Sequence, residues 1–248
     1  MPDSLGHRMK FGVIAPSTNT SVQPEFDDMR PVGVTNHFSR IVIDDRPVHS
    51  DEDFNDLVMR IRAATMDAID AVKSCAPGAM IMGMSAETFW DGKDRADGLK
   101  AEIEARAGMN VAMGSDACQA ALSKFGDIKR IAVVTPYMPI GDEQVRKFFT
   151  DCGYEVVTVK GLKCASPTLI AHVSEKTLRD AIIAVNDPSV EAIIQAGTNL
   201  AMARVGAMAE FWLDKPVIAI NTATYWHALR MNGIEDKVQG FGSLLSRY

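Results

Sequence analysis

The sequence has little cysteine: four residues in 248, with no CxxC pair. Cys75, Cys118, Cys152 and Cys164 are scattered among apolar neighbours, a pattern typical of reduced core thiols and not of a disulfide framework. The five histidines offer no pair at a metal-ligand spacing either. The sequence therefore predicts neither a metal site nor structural disulfides.

Long apolar runs and clusters of basic residues are also missing. No stretch of about 18 apolar residues occurs, and the N-terminal MPDSLGHRMK lacks the apolar centre of a secretion signal. The net charge of -6 gives no electrostatic reason to expect a nucleic acid or an anionic membrane as a partner. We therefore expect a cytoplasmic protein that binds a small molecule.

Short apolar segments alternate with longer segments of helical period along the chain. This alternation is the pattern of βα units and predicts an α/β fold with parallel sheets. The predicted strands are KFGVIA, the residues 38–43, GAMIMG, NVAMG, RIAVVT, EVVTVKG, EAIIQA and PVIAI. The segments 53–75 and 174–187 have the spacing of surface helices that pack on a sheet.

Two parts of the sequence resemble each other. KFGVIAPSTNT and KRIAVVTPYMP each consist of a basic residue, an apolar strand and a proline, Pro16 or Pro136, and each is followed later by a strand that ends at Gly83 or Gly197. An internal duplication predicts two pseudo-symmetric lobes, residues 1–114 with 224–248 and residues 115–223. The carboxyl ends of strands from both lobes would then face a shared cleft.

Polar side chains that can bind an anion follow the predicted strand ends of both lobes. Their hydroxyl and amide groups, together with free backbone N–H groups at helix starts, suit a carboxylate. They are Ser17, Thr18, Asn19, Ser85, Thr198 and Asn199. Helix capping alone explains the same residue types, and the sequence leaves that alternative open.

An enzyme in this cleft also needs a group that transfers a proton or attacks the substrate. Glu87 lies four residues after Gly83, and a buried carboxylate with a raised pKa can act as a proton donor. Asp116 is a second candidate, although an aspartate at a helix start is more often a cap. Ser85 is a possible nucleophile, but its surroundings are not a GxSxG elbow.

Large apolar side chains close to these motifs suggest a wall for an alkyl or aryl group of the substrate. They are Phe89, Trp90, Met82, Met84 and Met202. Packing in the core explains them equally well.

Several of these segments occur in an order that resembles a known family. APSTNT, MGMSAETFW, SDACQAAL, VVTPY, AGTNL and TATYWHALR are together similar to the aspartate/glutamate racemase superfamily, nearest to its branch of maleate isomerases and arylmalonate decarboxylases. The resemblance implies two α/β lobes, no metal or organic cofactor, a small carboxylic acid held between the lobes, and a homodimer or larger homo-oligomer. It also implies chemistry through an enediolate, with Tyr137 as the tyrosine that donates to a carboxylate or to the enediolate.

The sequence departs from this family at the cysteines. Racemases of the superfamily have one cysteine at a strand end in each lobe, and the matching positions here are Gly83 and Gly197. We therefore expect chemistry that does not use thiols. The expected catalytic residues are Glu87, Asp116, Tyr137 and Ser85, and the expected substrate-binding residues are Ser17, Thr18, Asn19, Gly83, Met84, Gly197, Thr198 and Asn199.

Three functions fit this sequence. The first is a cofactor-independent lyase or isomerase that acts next to the carboxylate of a small acid. The second is a hydrolase of a small amide, cyclic imide or lactone that uses the same donors as an oxyanion hole. The third is a binding protein that kept the cleft without catalysis.

Overall fold

Two four-stranded parallel sheets form the frame of the protein in the computed structural model, which describes residues 3–248. The strands are β1 (Met9–Pro16), β2 (Val34–Ile41), β3 (Ala79–Met82), β4 (Val111–Ala112), β5 (Arg130–Thr135), β6 (Glu155–Gly161), β7 (Ala192–Gln195) and β8 (Val217–Ala219). Their order is β2-β1-β3-β4 in the first sheet and β6-β5-β7-β8 in the second. The same order in both sheets confirms the predicted α/β fold with two similar lobes.

Helices connect the strands and cover the sheets. The α-helices are α1 (Val22–Met29), α2 (Asp51–Lys73), α3 (Lys93–Ala107), α4 (Gly114–Leu122), α5 (Pro139–Asp151), α6 (Glu175–Val185), α7 (Ala203–Leu213), α8 (Ile220–Met231) and α9 (Ser243–Arg247). Short 3₁₀ helices lie at Glu87–Phe89, Ser123–Phe125 and Leu169–His172. Within residues 3–248, no helix combines the length and apolar character needed to cross a membrane.

The long helix α2 begins at a capping box. Ser50 Oγ accepts a hydrogen bond from Asp53 N at 3.1 Å, and the Asp53 carboxylate accepts one from Ser50 N at 3.1 Å. This cap sets the rotation of the first turns, in which Phe54 and Leu57 are buried. Farther along the helix, Ile69 is also buried, and the helix packs on β1 and β2.

Helix α8 leaves the second sheet and packs against elements of the first. It contacts α1, α4, β3 and β4. A side-chain carbon at Gly114 would lie 2.6 Å from Ile220 Cδ1, so a larger residue there would force the Ile220 side chain to move. The lobe boundaries given above stay a prediction; they assign α4 after Gly114 to the second lobe, and α4 packs mainly against α8.

Both sheets have a switch point in their strand order. The order reverses between β1 and β3 in the first sheet and between β5 and β7 in the second. Chain segments that leave neighbouring strands at such a point diverge to opposite faces and open a crevice beyond the carboxyl ends. Four segments, those after β1, β3, β5 and β7, are therefore placed to form a site.

Candidate active site

The four segments at the switch points line a single cleft between the sheets, with an empty volume of about 460 Å³. The first sheet provides Pro16, Thr18, Asn19, Met84, Ser85 and Ala86, and the second provides Pro136, Tyr137, Gly197, Thr198 and Asn199. The structure thus brings together most of the residues that the sequence predicts for the site. Their functional roles stay predictions.

A chain of hydrogen bonds crosses the cleft from one lobe to the other. Asn19 Nδ2 donates to Thr198 Oγ1 at 3.0 Å, and Thr198 Oγ1 donates to the carbonyl oxygen of Gly83 at 3.2 Å. Thr198 N donates to Ser85 Oγ at 3.2 Å, and Ser85 Oγ lies 2.7 Å from Tyr137 OH. The hydroxyl groups are therefore held in one connected and buried network.

Asn199 lines the cleft, but its amide is used entirely within the protein. Its Oδ1 accepts hydrogen bonds from Thr20 N at 2.9 Å and Ser21 N at 3.2 Å. Its Nδ2 donates to Pro167 O at 2.9 Å and Thr18 O at 3.3 Å. Since an amide side chain makes about four hydrogen bonds, Asn199 joins the two lobes and has no polar capacity left for a ligand.

Asn19 both caps a helix and faces the cleft. Its Oδ1 accepts from Ser21 N and Val22 N at 3.0 Å, at the start of α1, while its Nδ2 extends to Thr198. Ser17 behaves differently because it is exposed and exchanges two hydrogen bonds of 3.1 Å with the backbone of Ile43. Ser17 ties two loops together and does not line the cleft.

Glu87 lies behind the cleft wall. The 3₁₀ helix that begins at this residue directs its side chain towards α2, where Glu87 Oε1 is 2.7 Å from Arg62 Nε. Burial raises the pKa of the Glu87 carboxyl, and the Arg62 guanidinium opposes that rise. Glu87 is 3% exposed and does not line the cleft, so the structure does not bring this predicted proton donor to the site.

Asp116 is also held away from the cleft. Its Oδ1 accepts from Met113 N at 3.0 Å, which caps α4, and its Oδ2 pairs with Lys100 and lies 3.7 Å from His227 Nε2. Burial alone would raise the pKa of this carboxyl, but His227 and Lys100 outweigh it and lower the pKa. The structure shows the helix-capping alternative for Asp116.

The two glycines at the expected cysteine positions leave little room for a side-chain carbon. A Cβ at Gly83 would lie 3.2 Å from Ala15 Cβ and from Ile14 O, on the β1 side. Gly197 has φ +102, and a Cβ there would meet the ring of Pro136. Among the residues that the structure describes, no cysteine lines the cleft, and burial raises the pKa of the Cys118 thiol in the core.

An apolar wall faces the polar network. It is built from three residues of α2, one residue after β2 and one residue of the 3₁₀ helix Leu169–His172, namely Phe54, Leu57, Ile61, Ile43 and Ile170. The spacing i, i+3, i+7 of the three α2 residues was a possible signal, but it is also the spacing of a face packed on a sheet.

The wall predicted from the sequence is largely wrong, because only Met84 of its five residues lines the cleft. Phe89 is buried in the core against Phe148 and Phe149, with ring centroids 5.1 and 5.7 Å away. Trp90 stacks on Phe54 at 5.9 Å, outside the lining. The chain turns into the 3₁₀ helix immediately after Ala86, and this turn takes Phe89 away from the cleft.

Tyr137 is the one titratable side chain of the cleft lining within residues 3–248. Burial raises the pKa of its phenol, and the hydrogen bond with Ser85 opposes the rise. In the same part of the chain, no three His, Cys, Asp or Glu side chains gather in a way that could hold a metal ion.

Comparisons with known proteins agree with this architecture. A family model described as Amdase, arylmalonate decarboxylase, matches residues 11–245. A maleate isomerase of Pseudomonas putida is 24% identical over 249 residues, covering 96% of this chain and 97% of that protein. The predicted resemblance to the maleate isomerase and arylmalonate decarboxylase branch is confirmed.

Solved structures share the fold at low sequence identity. A maleate cis-trans isomerase of Nocardia farcinica, in a cysteine-to-serine variant with a covalently bound succinylcysteine intermediate, is 20% identical with a TM-score of 0.86, over 96% of this chain and 98% of that one. An arylmalonate decarboxylase variant in a liganded form, with one glycine changed to cysteine and one cysteine to serine, is 18% identical with a TM-score of 0.82, over 96% and 99%. These likenesses show the fold.

Proposed function

Because this chain belongs to the arylmalonate decarboxylase family, we propose that it is an enzyme acting on a small carboxylic acid at the carbon next to the carboxylate. The proposed reaction is a decarboxylation or an isomerisation that passes through an enediolate and uses no thiol. The observation that carries the proposal is the buried network of Asn19, Ser85, Tyr137 and Thr198 at the junction of the two sheets.

This network suits an enediolate because negative charge develops on oxygen as the reaction proceeds. The hydroxyl groups of Ser85 and Tyr137 are fixed before the reaction by a hydrogen bond of 2.7 Å. A preorganised donor of this kind in a site shielded from water contributes roughly 2.7 to 4 kcal/mol to stabilisation of the transition state. Asn19 and Thr198 orient the pair and the adjoining backbone.

The cleft lining also favours the loss of a carboxylate. Among the described lining residues there is no Lys, Arg, Asp or Glu, and one side of the cleft is apolar. A substrate with two carboxylates gives up hydration on entering, and the release of carbon dioxide removes one of the two charges from this environment. Decarboxylation is therefore the proposed reaction that this lining supports best.

The test is incubation of the protein in D2O with phenylmalonate, maleate, aspartate, a hydantoin and a cyclic imide, followed by proton NMR. Loss of carbon dioxide, isomerisation, or deuterium at an α-carbon supports the proposal. Ser85→Ala should weaken the signal by about 10² or more, and Tyr225→Phe is the control, because its hydroxyl donates to Asn36 outside the cleft. Hydrolysis without exchange would instead favour the hydrolase, and silence across the panel would contradict the proposal.

We also propose that the protein forms a homodimer or a larger homo-oligomer. Helix α7 exposes Phe211 and Met208, with 92% and 51% of their surface accessible, and exposed apolar patches of this kind mark contact surfaces. Light scattering coupled to gel filtration would measure the assembly. A wild-type mass of one subunit, 27.0 kDa, would contradict it.

A further inference from the structure

The Ser85 and Tyr137 hydroxyls hold one more proton than their own hydrogen bond uses. Each hydroxyl has one proton and two acceptor sites, and the 2.7 Å contact between the oxygens shares one of the two protons. Ser85 Oγ is already an acceptor for Thr198 N. Among the residues that the structure describes, none accepts the second proton, so it is available to an acceptor in the cleft that both residues line.

The described lining contains no group suited to removing a proton from carbon. It has no carboxylate, imidazole, amine or thiol, since Glu87 pairs with Arg62 and Asp116 pairs with Lys100. Burial raises the pKa of Tyr137, which keeps its phenol protonated near neutral pH. The cleft thus offers a proton donor without offering a base.

We propose that the Ser85–Tyr137 pair donates the proton that completes the reaction, in the role that a thiol would otherwise fill. This inference rests on the proposed function. It specifies which way the proton moves in the reaction. The pair protonates a carbanion, and no group in the described lining removes a proton from a neutral carbon. The reaction class is then decarboxylation followed by protonation, and not racemisation.

The step balances with water as the source of the proton. The bond between the α-carbon and one carboxylate breaks, carbon dioxide leaves, and the electron pair passes into the remaining carboxylate to form the enediolate. The α-carbon takes the available hydroxyl proton, and the pair keeps its other proton between the two oxygens. A proton from water then restores the pair, so one solvent proton is consumed for each carbon dioxide released.

The position of the pair predicts the stereochemistry of the product. The two oxygens are neighbours, so they act from one place in the cleft and protonate one face of the enediolate. A 2-methyl-2-phenylmalonate probe, whose decarboxylation creates a stereocentre, should therefore give an excess of one enantiomer. Because no base is present in the described lining, that product should keep its α-hydrogen when it is incubated with the enzyme in D2O.

The experiment measures decarboxylation rate and enantiomeric excess for the wild type, Tyr137→Phe, Ser85→Ala and the double variant. Loss of a general acid lowers the rate by about 10² or more, and the double variant should be no slower than the slower single variant, because the residues act as a unit. Residual product should be nearly racemic. Tyr225→Phe, another buried tyrosine, should retain the rate and the enantiomeric excess.

A second substitution separates proton donation from packing. Replacement of Tyr137 by 2,3-difluorotyrosine keeps the shape and lowers the pKa of the phenol. If Tyr137 supplies the proton, this variant stays active at low pH and loses activity at a lower pH than the wild type does. A pH profile identical to that of the wild type would overturn the proposal.

The outcomes distinguish failure of the proposed proton donor from failure of the proposed function. In one outcome the wild type decarboxylates the probe, and Tyr137→Phe and Ser85→Ala stay within about threefold of its rate with the same enantiomeric excess. This outcome overturns the assignment of the proton donor and leaves the proposed function standing. Rapid exchange of the product α-hydrogen in D2O shows a base and also overturns the inference. A wild type that is silent on the probe and on every acid of the panel overturns both.

Discussion

The side chains of Asn19 and Thr198 meet across the cleft, with 3.0 Å between Nδ2 and Oγ1. The two residues are separated by 179 positions in the chain and follow strands of different sheets. Thr198 Oγ1 in turn donates to the carbonyl oxygen of Gly83. A single hydroxyl therefore connects three of the four segments that form the site.

Thr198→Val tests this connection with little change in volume. The substitution leaves the Nδ2 group of Asn19 buried without an acceptor, and an unpaired buried group costs about 1 to 3 kcal/mol. We expect the free energy of unfolding, measured by urea denaturation, to fall by this amount. Thr65→Val is the control, because the Thr65 hydroxyl only donates back to Ile61 O within α2. Equal losses in both variants would contradict the connection.

Glu25 should make stability depend on pH. Its carboxylate accepts from Ala203 N at 2.9 Å and from Asn221 Nδ2 at 2.6 Å, and Asn221 Nδ2 also donates to Thr198 O. Burial raises the pKa of Glu25 from 4.5 to about 7, and the hydrogen bonds from Asn221 and Ala203 oppose the rise. Because the folded protein holds this proton more tightly, the contribution is complete below pH 4.5 and is lost as pH rises through about 7.

Denaturation at a series of pH values measures this effect. From pH 4.5 to 8 the wild type should lose up to about 3 kcal/mol relative to Glu25→Gln, which has no proton to release. Asp28→Asn removes a neighbouring surface carboxylate that pairs with Arg204, and it should preserve the wild-type slope. A slope that persists in Glu25→Gln would assign the titration to another group.

Arg62→Leu should destabilise the protein more at high pH than at low pH. Glu87 is 3% exposed and Arg62 is its ion-pair partner, so loss of Arg62 leaves a buried carboxylate without compensation. The pKa of Glu87, already raised, rises further, and the cost at pH 8 is about 3 kcal/mol. At low pH, where the Glu87 carboxyl of the variant takes up a proton in the folded state, the cost shrinks.

Arg60→Leu is the matched control for this ion pair, since Arg60 on the same helix pairs with the exposed Asp56 and loss of that pair should cost about 0 to 1 kcal/mol. Glu87→Gln is the companion test of catalysis. Because Glu87 does not line the cleft, we expect the reaction rate to stay within about tenfold of the wild type. A loss as large as that in Tyr137→Phe would return Glu87 to the catalytic residues.

The apolar wall should set the preference for the substituent of the substrate. Ile61 lines the cleft, so Ile61→Ala should weaken binding of phenylmalonate relative to malonate by about 1 kcal/mol in competition experiments. Ile69→Ala removes a fully buried side chain of the same helix outside the lining. It should lower the free energy of unfolding by about 2 to 5 kcal/mol and leave the substrate preference unchanged. Equal preferences in both variants would exclude a selective wall.

The sequence predicted the strands well because their signals are local. Each of the eight predicted strands overlaps an observed one, and β5 and β6 match from end to end. The paired prolines Pro16 and Pro136 pointed to the duplication, and both line the cleft. The sequence also placed Ser85, Tyr137 and Thr198 at the cleft. Each of them follows a predicted strand, and parallel strands bring their carboxyl ends to one edge of a sheet.

The direction and partner of individual side chains did not follow from the sequence. Glu87 stands three residues from the lining residue Met84, yet a 3₁₀ turn takes its side chain to Arg62. The first turns of α2 had the pattern of any amphipathic helix, and only the approach of the second lobe gave them a cleft to line.

The sequence by itself determined the α/β alternation, the two lobes and the polar strand ends. It could do so because the spacing of apolar residues, the turn residues and the repeated segments depend only on residues that are close together in the chain. The contacts that define the site join residues such as Asn199 and Thr20, which are 179 positions apart. Such contacts depend on how the two sheets dock, and their geometry is fixed by packing over the whole interface. The tertiary structure therefore decided which polar groups serve the cleft and which are consumed in holding the lobes together.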